Sequence, residues 1–275
     1  MLTAMLDGVV ISPDHAAIHI DDRGLLYGDG LFETMLLRNG VIRFFDDHVQ
    51  RLHHSCERLK ISPPVLDCLQ GELRQLLQNH RDGVIKLIVT RGRGGRGYRA
   101  TRNHPTRLWQ LFPPIGVTDD SITMRWCETR WSRNELLAGM KHLNRLEQVL
   151  AQSEWNDMAI AEGLMLDTEG ELISGTMSNV FMVIDGNLVT PDVLYCGVQG
   201  VMRKNVLRMA KQMGMVVEER PVHPEELAVA SEVFVSNAVR GIQSVAALLP
   251  SILDGIEWKT GAVTTGLIHL LNQQG

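Results

Sequence analysis

The chain has no run approaching 18 uninterrupted apolar residues, and its first stretch, Met1-Leu-Thr-Ala-Met-Leu-Asp-Gly8, has neither a basic start nor a long apolar core. Neither a membrane span nor a secretory signal is therefore expected. Its four cysteines (Cys56, Cys68, Cys127, Cys196) form no Cys-x-x-Cys pair. A structural zinc site has no support, and reduced thiols in a cytoplasmic protein are the expectation. No Gly-Lys-Ser/Thr completes a Walker pattern, no segment repeats, and no tract is of low complexity. Positive charge is in deficit: 27 basic residues against 32 acidic ones leave a net charge of −5, which argues against a protein built mainly to coat nucleic acid. What remains is 275 residues that are 44% hydrophobic. That is enough to fill a core and rule out wholesale disorder, at a length bordering one large domain and two medium ones.

The first forty residues read as short strands and tight turns. Leu2–Leu6, Asp7-Gly8 and Val9–Ile11 have the form of a hairpin, and Asn39-Gly40 turns the run Leu31–Leu37 back into Val41–Phe44. From Asp46 the period becomes helical, with Val49, Leu52, Cys56 and Leu59 on one face and Asp46 or Asp47 as N-cap. A second helix over Val65–Asn79 and strands at Val84–Thr90 and Arg107–Phe112 follow. Pro113-Pro114-Ile-Gly116 reads as a linker. Beyond it, strands at Ile122–Cys127, Gly163–Leu166, Val180–Ile184 and Val233–Val235 alternate with helices near 145–156, 200–213 and 263–272. The expectation is an α+β chain of two domains, residues 1–115 and 116–275.

Of the 27 basic residues only six are lysine (60, 86, 141, 204, 211, 259). A search for a nucleophilic amine is therefore short. Lys60 closes a helix, Lys204 and Lys211 lie on the polar side of another, Lys259 is near the C-terminus, and Lys86 sits inside an apolar strand. Lys141 lies between small and apolar residues in Leu136-Leu-Ala-Gly-Met-Lys141-His-Leu-Asn-Arg145, just before a helix carrying Leu146, Val149 and Leu150. It reads either as a desolvated amine or as a surface lysine on a loop. Arg51 is one step off the apolar stripe, where its fork suits a phosphate, and Cys196-Gly-Val-Gln-Gly200 opens a helix whose first amides form an anion site.

Together these stretches resemble the fold-type IV pyridoxal-phosphate enzymes, whose members include branched-chain and D-amino-acid aminotransferases and aminodeoxychorismate lyase. The resemblance runs in order through Tyr27-Gly-Asp-Gly-Leu-Phe-Glu-Thr34, His48-Val-Gln-Arg51-Leu, Lys86-Leu-Ile-Val-Thr-Arg91-Gly, Lys141-His-Leu-Asn-Arg145, Ser178-Asn179-Val-Phe181, Gly197-Val-Gln-Gly-Val-Met-Arg203 and Ser236-Asn237-Ala238. Arg91-Gly-Arg-Gly-Gly-Arg-Gly-Tyr98 and the unbroken Lys141–Leu150 run point to the lyase branch. The resemblance implies a smaller N-terminal domain and a larger pseudo-barrel domain carrying the cofactor lysine, with pyridoxal 5'-phosphate at their interface and a homodimer.

Matched by position, Lys141 would be joined to the cofactor aldehyde and, once displaced by substrate, act as general base. Arg51, Val198, Gln199, Ser236 and Asn237 would bind its phosphate. Asn179 and Ser174 would complete the cofactor site, although Ser174 stands where family members usually carry a glutamate against the pyridine nitrogen, unless Glu169 or Glu171 reaches in. The implied reaction turns 4-amino-4-deoxychorismate, which has two carboxylates, into p-aminobenzoate and pyruvate. An aminotransferase on the same fold is the alternative. On the substrate side, Arg91, Arg96, Tyr98 and Arg107 would meet carboxylate, Tyr27 would line the pocket, and Thr34 would relay protons. Phe32 reads as core, His48 and His142 as structural hydrogen-bonders, and the thirteen methionines as core filler. A nucleic-acid reading of the Arg-Gly loop 91–99 is remote, because the tract is short and has one aromatic neighbour.

Overall fold

The computed structural model describes residues 3–12, 17–100, 104–116 and 121–274. The chain divides into two compact units: Met1–Gly116 together with Met140–Asn144, and Val117–Gly139 together with Arg145–Gly275. The sequence placed Lys141 in the C-terminal domain. It belongs instead to the first unit, for reasons that lie in one strand edge described below.

The first unit is a six-stranded antiparallel sheet in the order β2-β1-β6-β5-β3-β4, formed by β1 (Thr3–Leu6), β2 (Val9–Ile11), β3 (Gly30–Arg38), β4 (Val41–Ile42), β5 (Gly83–Thr90) and β6 (Thr106–Phe112). The Asp7-Gly8 turn gives the expected hairpin, with Leu6 opposite Val9, while Leu2 lies outside the described residues. Alternation sets two unlike faces. Glu33, Met35, Leu37, Ile85, Leu87, Trp109 and Leu111 are buried on one of them. Two helices, α2 (Phe45–Leu59) and α3 (Leu66–Leu76), pack on the sheet and bury Leu52, Cys56, Leu69, Leu73 and Leu76. Each such leucine contributes roughly 1.5–3 kcal/mol. Phe32, Thr34, Leu36, Val84, Lys86 and Ile88 point the other way and are half-buried.

Two local expectations give way. Residues 23–27, within the stretch read as short strands and tight turns, form a one-turn helix, α1 (Arg23–Tyr27), capped by the Asp22 side chain on the Gly24 amide and ended by Gly28 at φ 64°. Neither Asp46 nor Asp47 caps α2. The residue before the helix is Phe44 in a left-handed conformation, and both aspartates lie in the first turn, where they suit the dipole without closing a cap.

The second unit is a mixed sheet in the order β12-β11-β10-β13-β14-β7-β8-β9, with β15 paired to β14. Its strands are β7 (Ser121–Trp126), β8 (Ile160–Leu166), β9 (Leu172–Gly175), β10 (Asn179–Ile184), β11 (Asn187–Pro191), β12 (Val217–Arg220), β13 (Glu232–Asn237), β14 (Gly241–Leu248) and β15 (Ile256–Glu257). The pairs β14–β7, β7–β8 and β11–β12 are parallel. Helices α4 (Leu146–Gln152), α5 (Val201–Gln212) and α6 (Ala262–Gln273) complete it. A core of Met124, Trp126, Leu164, Val180, Met182 and Val233 fills it. Among the described residues, no helix is long and apolar enough to cross a membrane.

Candidate active site

Lys141 is held by backbone pairing along the outer edge of β3. Phe32 N–H donates to Lys141 O at 2.9 Å, Leu143 N–H donates to Gly30 O at 3.0 Å, and Leu31 bridges His142. That ladder places Lys141 opposite Phe32 and on the same face. Its Nζ lies 4.2 Å from the centre of the Phe32 ring. The segment is anchored at its far end by Asn144, whose Nδ2 donates to Gly28 O at 3.1 Å. A Cβ on Gly28 would come within 2.5 Å of Asn144 Oδ1, so glycine is required both for this contact and for the positive φ. The amine is thus half-buried over an aromatic face on a fixed strand edge, a setting that suits a nucleophilic lysine.

On the opposite face of β3, Glu33 was not singled out from the sequence, yet it organises both predicted residues of α2. Arg51 Nε donates to its Oε1 at 2.8 Å and Arg51 Nη2 donates to its Oε2, while His48 Nδ1 lies 2.6 Å from Oε2. Burial pushes the Glu33 carboxyl up, but Arg51 and His48 outweigh it and hold the group down at about 2. Burial lowers His48, with Arg51 and Lys141 adding to the effect and Glu33 opposing it. The imidazole is therefore neutral, with Nδ1–H on Glu33. Arg51 is consequently fixed on one flank before it meets any phosphate.

The glycine–arginine loop is pinned by another residue that sequence reading passed over. Arg23, 3% exposed, donates from Nε to Asp29, from Nη1 to Gly97 O and from Nη2 to Tyr98 O. Tyr27 Oη accepts from Gly97 N, and the Tyr27 and Tyr98 rings are 5.6 Å apart. Arg91 spends its fork on Asp29 and on the carbonyls of Leu59 and Lys60, at the end of α2. Arg107 is bound to Glu72 at 2.8 Å and to the Asp7 hairpin turn. Both are bonded to carboxylates of the fold. Arg96 is exposed on the pinned loop.

In the second unit, Asn179 begins β10 directly opposite Ser236 on β13. Its Nδ2 donates to Val198 O at 3.0 Å, and a Cβ on Gly200 would come 2.1 Å from its Oδ1. Gly200 precedes α5, whose N-terminus has no side-chain cap. The Gln199 amide, expected to face phosphate, donates instead to Gly139 O at 2.9 Å. The first turn of α5, from Val201, presents backbone amides with no side-chain cap among the described residues. Asn237 Oδ1 accepts from the Val239 and Arg240 amides, so this side chain shapes the turn after β13. Ser236 Oγ is buried without a hydrogen-bond partner among the described residues. An orphaned hydroxyl beside an uncapped helix start and a glycine-only approach fits the phosphate of pyridoxal phosphate.

Ser174 Oγ accepts from Trp131 Nε1 at 3.0 Å and donates to Gly175 O at 2.8 Å, so its one proton is already committed. Glu171 is bonded to Arg133, and Glu169 is exposed. Glu162, unremarked in the sequence, is a buried carboxylate. It accepts from the Thr176 and Met177 amides and from the Ser178 hydroxyl, and so fixes the turn that delivers Asn179.

Residues 30–248 match the amino-transferase class IV family. The chain belongs to that family. Among class IV relatives, the aminodeoxychorismate lyase of Vibrio harveyi is 32% identical over 261 residues, covering 93% of this chain and 96% of its own length. A protein of Methanocaldococcus jannaschii assigned as a branched-chain-amino-acid aminotransferase is also 32% identical, over 248 residues, with 87% and 85% covered. The crystal structure of the 4-amino-4-deoxychorismate lyase of Pseudomonas aeruginosa superposes with a TM-score of 0.90 at 41% identity, covering 98% of both chains. The α+β class expected from the sequence is that of these class IV structures.

Proposed function

We propose that this chain is a pyridoxal-phosphate-dependent lyase that converts 4-amino-4-deoxychorismate to p-aminobenzoate and pyruvate. Likeness to the Pseudomonas lyase, at 41% identity across 98% of both chains, carries this reading over the aminotransferase one. In it, Lys141 holds the cofactor covalently, and Ser236, Asn179, the start of α5 and Arg51 hold its phosphate. Bound pyridoxal phosphate supplies an electron sink at the carbon bearing the substrate amine. With the cofactor bound, the Lys141 Nζ would be the base that takes the C4 proton. Enolpyruvate would carry away the electron pair of the C3–oxygen bond, and the proton held on Lys141 Nζ would balance its conversion to pyruvate. The carbocyclic product is aromatic, so part of the driving force lies in the ring itself. That relaxes the demand on the pyridine end, where Ser174 offers less than a carboxylate would. Arg96, exposed on its pinned loop, would meet a substrate carboxylate, and Thr34, on the Lys141 face of β3, would relay protons.

The test is a paired assay of the cofactor-loaded enzyme. Pyruvate should appear from aminodeoxychorismate without an amino acceptor, and no amino transfer to 2-oxoglutarate from branched-chain or D-amino acids should match its rate. The reverse ranking would replace the lyase with the aminotransferase.

We also propose a homodimer in the cytoplasm. Leu146, Val149 and Leu150 of α4 stand at one helical face and are 76%, 60% and 57% exposed in the single chain, a stripe that a second copy would cover. Burial pushes the thiols of Cys56, Cys127 and Cys196 up to about 12, in keeping with inert, reduced cysteines. Leu146→Asp with Val149→Asp should convert a dimer into a monomer by light scattering. A wild-type chain that is monomeric at micromolar concentration would refute the dimer.

A further inference from the structure

The half-buried face of the first sheet carries two adjacent rows of side chains. One runs Lys141, Phe32, Ile88, Leu108, since Phe32 pairs with Ile88 and Ile88 with Leu108. The next runs Thr34, Lys86, Gln110, again paired residue to residue. Directly paired residues share a face, so a polar row lies beside an apolar one. Lys86 Nζ is 5.2 Å from the centre of the Phe32 ring, the same ring over which Lys141 Nζ stands at 4.2 Å. Lys86 is half-buried and has no carboxylate or hydrogen-bond partner among the described residues. Glu33, the acidic residue of β3, is on the opposite face and already bound to Arg51 and His48.

A partly desolvated ammonium without a counterion, next to the reacting amine, is a place where an anion gains much and the apo protein gains nothing. We propose that Lys86, with Thr34 and Gln110 beside it, is the subsite for a carboxylate carried on the ring of the substrate. Phe32, Ile88 and Leu108 form the apolar floor under that ring. This rests on the lyase reading for the identity of the substrate, but the subsite requires only a ligand with an amine at one end and a carboxylate across an unsaturated ring from it. The para arrangement of 4-amino-4-deoxychorismate has that shape: the amine is drawn to Lys141 and the C1 carboxylate to Lys86. Arg96 is left for the carboxylate of the enolpyruvyl group.

Benzoate is the probe, because it carries the ring and the carboxylate without the amine and needs no turnover. Titrated calorimetrically into the cofactor-loaded enzyme, it should bind wild type and Lys86→Arg comparably. Lys86→Met should bind it on the order of 30-fold more weakly, as expected for the loss of a charge-assisted hydrogen bond. In the turnover assay, Lys86→Met should raise KM for aminodeoxychorismate by a similar factor with a smaller change in kcat. Unchanged benzoate binding and KM, together with a raised pKa of the Lys141 linkage read from the absorbance of the bound cofactor, would overturn the subsite and make Lys86 a charge that tunes Lys141. If wild type releases no pyruvate but the benzoate difference persists, the lyase reading falls and the subsite stands. If pyruvate is released and the benzoate difference is missing, the subsite falls and the lyase reading stands.

Discussion

Lys141→Ala will take up pyridoxal phosphate without bonding to it, and its turnover will fall by about a thousandfold or more. In the proposed mechanism covalent catalysis and general-base catalysis both pass through this one nitrogen, and general-base action alone contributes roughly 10²–10⁴ in rate. The variant should fold normally. The backbone of residue 141, rather than its side chain, pairs with Phe32, and the Leu143–Gly30 and Asn144–Gly28 bonds remain. Borohydride reduction of wild type should fix the cofactor to the peptide containing Lys141, and reduction of the variant should fix it nowhere. Small amines such as methylamine should restore a fraction of the rate. The informative failure is specific: an adduct on Lys86, whose amine flanks the same Phe32 ring at 5.2 Å, would show that the two lysines had been assigned the wrong way round. Wild-type turnover in Lys141→Ala without added amine would remove the mechanism altogether.

The sequence made these two lysines conspicuous for different reasons, and the difference shows what a sequence can carry. Local signals were legible: the Asp7-Gly8 and Asn39-Gly40 hairpins, the helical period of α2, the helix after Gly200. Each is set by residues within a few positions of one another. The largely buried strand β14, Gly241–Leu248, went unread because a strand covered on both faces has no alternation to detect. Lys141 was identified as a site residue but assigned to the wrong unit, because its membership is decided by hydrogen bonds to Phe32 and Gly30, far earlier in the chain. The same holds for Arg91 and Arg107. A guanidinium in a glycine-rich loop or on a strand looks available until the fold delivers Asp29 and Glu72 to it. Arg23, Glu33 and Glu162 were missed for the converse reason: nothing near them in sequence reveals that each will be buried among several donors or acceptors. Carboxylates and guanidiniums are read poorly from sequence because their partners are distant.

Glu33 provides the second large effect, and its sign can be worked out in advance. Glu33→Ala removes a carboxylate that is 2% exposed and leaves Arg51 and His48 facing a void. Breaking a buried pair by removing one member costs on the order of 3 kcal/mol. For a chain of this size the thermal midpoint should fall by roughly 5 °C. The pH dependence separates this from a simple cavity. In wild type the Glu33 pKa is depressed, so its contribution is complete above its ordinary value of 4.5 and disappears as pH falls through about 2. His48 is also lowered, so below its ordinary 6.5 the unfolded chain takes up a proton that the folded chain refuses, and stability falls. Glu33 opposes that lowering. Without it, His48 is depressed further, and the variant should lose more stability than wild type as pH drops from about 6.5 toward 4.5. The gap between the two proteins should therefore widen over that interval and then close in stronger acid as wild-type Glu33 is protonated. A gap that stays constant from about pH 7 down to about 3 would mean that the side chain stabilises by volume alone. In that case, the charge on Glu33 would no longer explain how Arg51 is held in place.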